Sequence, residues 1–391
     1  MGNVYVTGCS GWNYVTIKYD NNGNQLWASR HNISSNCEKM AIAVDGFGNV
    51  HVTGESGGGT TGNDYETVKY DSNGNQLWVA RYDGPGNRYD IDEAKAIAVD
   101  NSGNVYVTGY SEGLGTDCDY VTIKYSSDGD EVWVARYNGP DNARDEAHAI
   151  ILDSLNNVYV TGSSYVVKCS NYDYATIKYN SDGVQQWIRS YDGLNGCGMD
   201  QANAIAVDGS GNVYVTGESS VKYAQNYATI KYDSNGNQLW VANYSGPQGY
   251  ESVANDIALD EEGNIYVTGK SWGPLGHDYA TIKYDANGEQ LWAARYTRGC
   301  ANAIVVDKLN NVYVTGAGSS GSDNHTSFIT IKYLQQELGS QLESPPPPPQ
   351  TEEVVPGTNT GLIVISVVSV LVITGIIAMA LILRRRRTSG R

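Results

Sequence analysis

Internal repetition constrains this chain more than any other feature. A VYVTG-like run occurs seven times, with its threonine at Thr7, Thr53, Thr108, Thr161, Thr216, Thr268 and Thr315, at spacings of 46 to 55 residues. A YxTIKY-like run follows each copy and ends at Tyr19, Tyr70, Tyr125, Tyr179, Tyr232, Tyr284 and Tyr333. Six AIAVD-like runs precede copies two to seven, and six LWxARY-like runs carry Trp27, Trp78, Trp133, Trp187, Trp240 and Trp292. The full unit is therefore four β-rich runs, here called a (AIAVD), b (VYVTG), c (TIKY) and d (LWxARY). The turns agree. Asp-x-x-Gly-Asn joins a to b and Asp-x-Asn-Gly-Asn joins c to d; glycine supplies φ > 0 and the Asp or Asn side chains bond the turn backbone. A chain with 30 Tyr and 45 Gly but only 2 Phe and 4 Met suits short strands and tight turns better than helices.

Four strands in a repeat of about 50 residues predict a β-propeller, in which four-stranded antiparallel sheets stack around an axis. Runs a and b are apolar almost throughout, as a sheet covered on both faces requires. The text GNVYVTG followed by YxTIKYDxNGNQLWxARYxGP closely resembles the SBBP (seven-bladed β-propeller) repeats of bacterial and archaeal surface proteins, over residues 1–333. That resemblance implies the fold and carries over no functional residue. The expected fold class is all-β: a seven-bladed β-propeller of four-stranded antiparallel blades, plus one C-terminal transmembrane helix. The first blade lacks strand a and the last lacks strand d. The shortfall predicts an upstream signal peptide and a segment reading d then a, Met1 not being the natural start. As the sequence stands, the end blades leave open edges that invite pairing with other chains.

Residues 334–360 break the repeat. The five prolines at 345–349 form a stiff polyproline II rod in a disordered stalk. Residues 361–383 hold no charge, and as a helix they span about 35 Å, enough to cross a bilayer. Arg384, Arg385, Arg386 and Arg387 follow directly, which places residues 384–391 in the cytoplasm and the propeller outside. The expected localisation is a single-pass protein of the cell membrane. The same tail resembles the sorting signals that exosortase-type or archaeosortase-type enzymes remove, with Pro356–Gly357 as the nearest motif. Formal charge is −17, and none of the 43 acidic residues lies beyond Glu353 while five of the 26 basic ones do, so the repeat region is the more acidic part. That balance argues against nucleic acid and against docking on an anionic membrane surface.

In a propeller the a–b and c–d hairpins share one rim, and the b–c and d–a loops share the other. The first set is uniform here and the second varies, so the second rim is the candidate binding face. It carries Trp12 and Trp272, candidates for carbohydrate or protein contact. It also carries acids just before strand a: Glu38, Asp92, Asp145 and Asp200, with Glu93 and Glu146 beside two of them. A ring of these carboxylates would suit Ca²⁺, which takes several oxygen ligands. The alternative is that each Asp accepts backbone N–H groups where its loop enters the strand. The c–d turns are read as hairpins, because they lack the twelfth-position Glu of a calcium loop.

All six cysteines fall in the loops of this rim. Cys9–Cys37 and Cys169–Cys197 are the favoured disulfides, with Cys118 and Cys300 unassigned. Sequons stand at Asn32, Asn243 and Asn324, all expected in loops of that rim. The five histidines are scattered, and no nucleophile elbow, phosphate loop or paired catalytic acids stand out. No catalytic residue is assigned, and no cofactor beyond Ca²⁺ is in view. The leading functional reading is a surface recognition, adhesion or scaffold module for surface glycans or proteins. The alternatives are an extracellular polysaccharide hydrolase or lyase, and a structural component of the envelope layer.

Overall fold

The computed structural model describes residues 2–34, 40–57, 59, 62–86, 90–193, 196–221, 224–318 and 327–334. The stalk beyond Leu334, the apolar segment 361–383 and the basic tail lie outside them. Among the described residues no helix is long and apolar enough to cross a membrane.

Every regular element among the described residues is a β-strand, and each predicted run becomes one. Unit one is β1 (Val4–Cys9), β2 (Asn13–Tyr19) and β3 (Gln25–Asn32). Unit two is β4 (Met40–Val44), β5 (Val50–Gly57), β6 (Gly62–Tyr70) and β7 (Gln76–Tyr82). Unit three is β8 (Asp90–Val99), β9 (Val105–Glu112), β10 (Cys118–Tyr125) and β11 (Glu131–Tyr137). Unit four is β12 (Asp145–Leu152), β13 (Val158–Val166), β14 (Asn171–Tyr179) and β15 (Gln185–Tyr191). Unit five is β16 (Asp200–Val207), β17 (Val213–Val221), β18 (Ala224–Tyr232) and β19 (Gln238–Tyr244). Unit six is β20 (Ser252–Leu259), β21 (Ile265–Gly273), β22 (Gly276–Tyr284) and β23 (Gln290–Tyr296). Unit seven is β24 (Gly299–Val306), β25 (Val312–Gly318) and β26 (Ser327–Tyr333).

Within units four, five and six the sheet order is a-b-c-d, and the pairing is antiparallel throughout. Units two and three join into one sheet, because β6 and β8 meet in parallel at Gly62↔Asp90 and Asn63↔Ile91. Strands b and c are the buried centre, whereas strand d alternates between exposed and half-buried positions. Two repeated polar details explain the motif letters. The threonines of VYVTG and TIKY face each other across b and c, as in Thr108···Thr122 at 3.0 Å and Thr216···Thr229 at 2.9 Å. The glycine after the first threonine sits opposite a bulge in strand a, where the register slips between Ala94 and Ala96. A Cβ on Gly109 would lie 2.0 Å from the Glu93 carbonyl oxygen, so only glycine fits.

The units are fastened at three depths. At the outer edge, the Lys of TIKY and the Trp of strand d donate to one carbonyl in the next unit's c–d turn. Lys124 Nζ and Trp133 Nε1 both reach Ser181 O at 3.2 Å, and Lys69 and Trp78 reach Ser127 O at 2.9 and 3.1 Å. Trp27, Trp133, Trp187 and Trp292 also stand between the Tyr of their own strand b and the terminal c-strand Tyr of the next unit, as Trp133 does with Tyr106 and Tyr179. Trp78 has His51 in the strand-b place. Midway, Tyr120 OH donates to Ala175 O and Tyr174 OH to Ala228 O. At strand a, the residue in the bulge reaches the next unit: Asn203 Nδ2 donates to Ala254 O at 2.8 Å and Asn255 Nδ2 to Ala301 O at 2.7 Å.

The outer fastening leaves a second glycine no alternative. Gly183 has φ +81°, and a Cβ there would lie 2.7 Å from the Trp133 ring. Gly183→Ala is expected to cost roughly 3 kcal/mol, strain and clash together. Gly115→Ala, at φ +83° with open space around it, should cost only about 1 kcal/mol. Urea unfolding of the two variants checks this; equal losses would mean that the ring contact contributes nothing.

Candidate binding rim

The rim of b–c and d–a loops holds the residues that the sequence marks for binding. Asp92, Asp145 and Asp200 are fully buried at the entry to β8, β12 and β16. They do not share one ring of ligands. Among the described residues the acidic groups near enough to share an ion are Asp64–Asp83–Asp92 and Asp173–Asp192–Asp200, in two separate interfaces. Glu38 lies outside the described residues. Glu93 pairs with Lys95 and accepts from Tyr110 OH, while Glu146 pairs with Arg144 and His148.

The two readings of the strand-entry aspartates divide by residue. Asp92 Oδ2 accepts the Gly84 N–H at 2.6 Å and Asp145 Oδ2 accepts the Gly139 N–H at 2.5 Å, which is turn chemistry. Asp200 departs from this, since neither of its oxygens meets a partner in hydrogen-bonding geometry. The c–d turns behave as hairpins. Asp71 Oδ1 accepts the Asn73 and Asn75 N–H groups and its Oδ2 accepts Asn75 Nδ2.

A salt bridge recurs here that the motif reading missed. Strand c opens with an aspartate, and the arginine of LWxARY in strand d reaches it. Arg81 meets Asp64 at 2.8 Å, Arg136 meets Asp119 at 3.0 Å and Arg295 meets Asp278 at 3.0 Å. The same guanidinium donates to a buried strand-b serine: Ser56, Ser111 or Ser271. In unit five both ends are neutral, Asn226 and Asn243. Unit four keeps Asp173 but has Ser190 in place of the arginine. The signal lay in reading DY and ARY together across the repeats.

The aromatic candidates differ. Trp12 is 63% exposed in the β1–β2 connection. Trp272 belongs to β21 rather than to a loop, because that hairpin extends to Trp272↔His277, and its ring stands edge-on to His277. Asn32 and Asn243 fall within β3 and β19 rather than in loops, and Asn243 is exposed. Asn324 lies outside the described residues. Cys169–Cys197 is a disulfide as expected, Cys9 is disulfide-bonded, and Cys37 lies outside the described residues. Cys118 and Cys300 are free thiols. Cys9, Cys118 and Cys300 fall within β1, β10 and β24 rather than in loops, because those strands run further toward the rim than their motifs.

Burial pushes the Asp145 carboxyl up to about 6, against the Ser164 and Gly139 hydrogen bonds that pull it down. A raised carboxyl favours the folded state in its protonated form. That contribution is complete below the unfolded value near 3.9 and is lost as pH rises through about 6. The melting temperature of wild type relative to Asp145→Asn is therefore expected to fall between pH 4 and 6.5 and to level off above; a flat difference would contradict the assignment.

The profile of the SBBP beta-propeller repeat matches residues 84–115, 199–223 and 246–276. An uncharacterised WD repeat-containing protein of Acanthamoeba polyphaga mimivirus is 24% identical over 386 residues, covering 82% of this chain and 26% of that protein. The chain thus spans about a quarter of that relative. Among solved structures, the polysaccharide lyase Uly1 superposes with a TM-score of 0.51 at 11% identity, over 84% of this chain and 88% of that one. A polysaccharide lyase described as a PL25 ulvan lyase gives 0.49 at 12% identity, over 84% and 91%. At 11% identity the likeness to Uly1 speaks to the fold alone. With its units fastened face to face, the chain is a β-propeller repeat protein that carries SBBP repeats.

Proposed function

We propose that the chain is a recognition module: a seven-bladed propeller held outside the cell by residues 361–383 and contacting surface glycans or proteins through its variable rim. The observation that carries this reading is apolar surface left uncovered on loops of unequal length. Trp12 is 63% exposed, Leu114 75%, Tyr250 59% and Leu275 64%, all on the rim of b–c and d–a loops. Aromatic and aliphatic side chains presented by a rigid scaffold suit contact with sugar faces or protein. Ring closure is supported by the end units, which offer the two halves of the recurring interface. Val4, Val6, Val15 and Ile17 are only half-buried, while their counterparts Val105, Val107, Val121 and Ile123 are fully buried. Phe328 of unit seven is 60% exposed where Tyr120, Tyr174 and Tyr227 are buried.

The second reading is a polysaccharide lyase or hydrolase, favoured by carboxyls on this rim that titrate near neutrality, such as Asp145 and Asp200 at about 6. Both are buried against the backbone, which suits packing better than attack on a polymer. A structural role in the envelope layer is the third. A glycan array and a panel of surface proteins, probed with the full chain, separate them. Trp12→Ala with Trp272→Ala should lower binding at least tenfold, as loss of aromatic anchors does. Turnover of a bound polysaccharide to new chain ends would favour the enzyme, and binding to nothing on either panel would overturn recognition.

A further inference from the structure

Asp173, Asp192 and Asp200 converge where unit four meets unit five, and no basic residue stands with them. Asp173 belongs to β14, Asp192 to the d–a loop and Asp200 to the first position of β16. The equivalent aspartates of units two, three and six each hold a guanidinium at 2.8 to 3.0 Å. Ser190 occupies that position in unit four, so Asp173 has none. Three carboxylates packed together without a counter-charge repel one another, the more so away from water. Burial, with Asp192 and Asp200 adding to it, pushes Asp173 up to about 7.

A separate observation concerns Ser219. It is the strand-b serine of unit five, the counterpart of Ser111 and Ser271, whose hydroxyls receive an arginine N–H. Unit five has Asn243 in place of that arginine, and Ser219 Oγ is 1% exposed with no hydrogen-bond partner. It faces the carboxylates. The point that a Cβ on Gly193 would occupy lies 2.7 Å from Ser219 Oγ and 2.9 and 3.1 Å from the two Asp200 oxygens. Those oxygens, at a fully buried residue, are also without partners. Three buried oxygens thus lack a donor in one small region, beside the half-buried Asp173 and the exposed Asp192, where units two, three and six bring an arginine to their serine and aspartate.

We propose that Asp173, Asp192, Asp200 and Ser219 form a calcium site, the ion supplying the positive charge that arginine supplies to the other units. The donor set is all oxygen, which selects a hard cation. The size fits: ligand atoms on opposite sides of Ca²⁺ at about 2.4 Å stand about 4.8 Å apart, and one oxygen of each carboxylate lies within 4.8 Å of the others. The loops that bear them are tied together in advance. Cys169, shortly before β14, is bridged to Cys197, between Asp192 and Asp200, and the Cys197 N–H donates to Asp192 Oδ1 at 3.0 Å. The site is independent of what the rim recognises, since its carboxylates are committed to the interface whatever ligand the exposed side chains meet.

The test is a calcium titration of the chelator-treated full-length chain, followed by melting temperature and by Tb³⁺ luminescence excited through the aromatic residues. Millimolar Ca²⁺ is expected to raise the melting temperature by about 3–5 °C. Asp173→Asn and Ser190→Arg are each expected to weaken Ca²⁺ and Tb³⁺ binding at least tenfold. Ser190→Arg gives Asp173 the partner its counterparts have, so it keeps the calcium-free protein folded and distinguishes a lost site from a lost fold. Asp83→Asn, at the corresponding trio between units two and three where Arg81 pairs with Asp64, should leave the response unchanged. No response in wild type, or one that survives both Asp173→Asn and Ser190→Arg, would overturn the proposal.

Discussion

The architecture depends on one backbone carbonyl per unit, the second residue of each c–d turn. Ser72, Ser127, Ser181, Ser234 and Ala286 each accept two N–H donors from the preceding unit, one from lysine and one from tryptophan. Side-chain identity at the acceptor is irrelevant, which is why serine and alanine alternate there. Geometry is not irrelevant, because the turn must present its carbonyl outward and its glycine to the indole. A charged donor to a half-buried carbonyl contributes about 1.5–3 kcal/mol. The lysine is itself steadied over a tyrosine ring, as Lys124 is over Tyr106. Stability is then the sum of repeated neighbour contacts, as in other repeat proteins.

That fastening divides the two rims. The c–d turns interlock, so their length and their glycine recur in copy after copy. The b–c and d–a loops share a repeated contact at their roots, where Asp92 and Asp145 bind the turn glycine. Beyond it their contacts differ from unit to unit, as in the Cys169–Cys197 disulfide and the Val167 N–H donated to Asp141. No contact beyond the roots repeats, and β13–β14 and β21–β22 extend as hairpins to Val166↔Asn171 and Gly273↔Gly276. Variation on one rim is therefore a consequence of where the fastenings lie, and recognition surfaces accumulate where variation is tolerated.

Strand order was legible in the sequence because each run repeats with the same turn chemistry, and all 26 runs became strands. The Trp and Tyr of strands d and b were legible as packing residues for the same reason. The bulge in strand a was not, since AIAVD gives no sign that the preceding residue, Asn203 or Asn255, leaves the ladder to reach the next unit. The acidic rim was half legible. Position identified Asp92, Asp145 and Asp200 and allowed that each accepts a backbone N–H, which Asp92 and Asp145 do through Oδ2, but it did not tell Asp200 apart from them. The partners of Asp92 and Asp145 lie in the same d–a loop, eight and six residues before, whereas the neighbouring aspartate and arginine come from strands c and d of the preceding unit and are visible only across repeats. Trp272 was misplaced because a hairpin can lengthen without any change in its apolar pattern.

A repeated interface lets its exceptions be interpreted, because the other copies show what the position requires. The aspartate at the head of strand c sits beside a buried carboxylate of the next unit, a costly arrangement unless a positive charge joins it. Units two, three and six supply arginine, and unit five removes the charge altogether with Asn226 and Asn243. Unit four does neither, yet it keeps a loop carboxylate at Asp192, as unit two does at Asp83 beside its arginine, and it carries a disulfide across the loops. Chance loss of the arginine alone would leave an unfavourable cluster that any Asp-to-Asn change relieves, as unit five demonstrates. Retaining all three carboxylates, beside a serine whose own donor is missing, is what a site for a cation requires and what a packing interface does not.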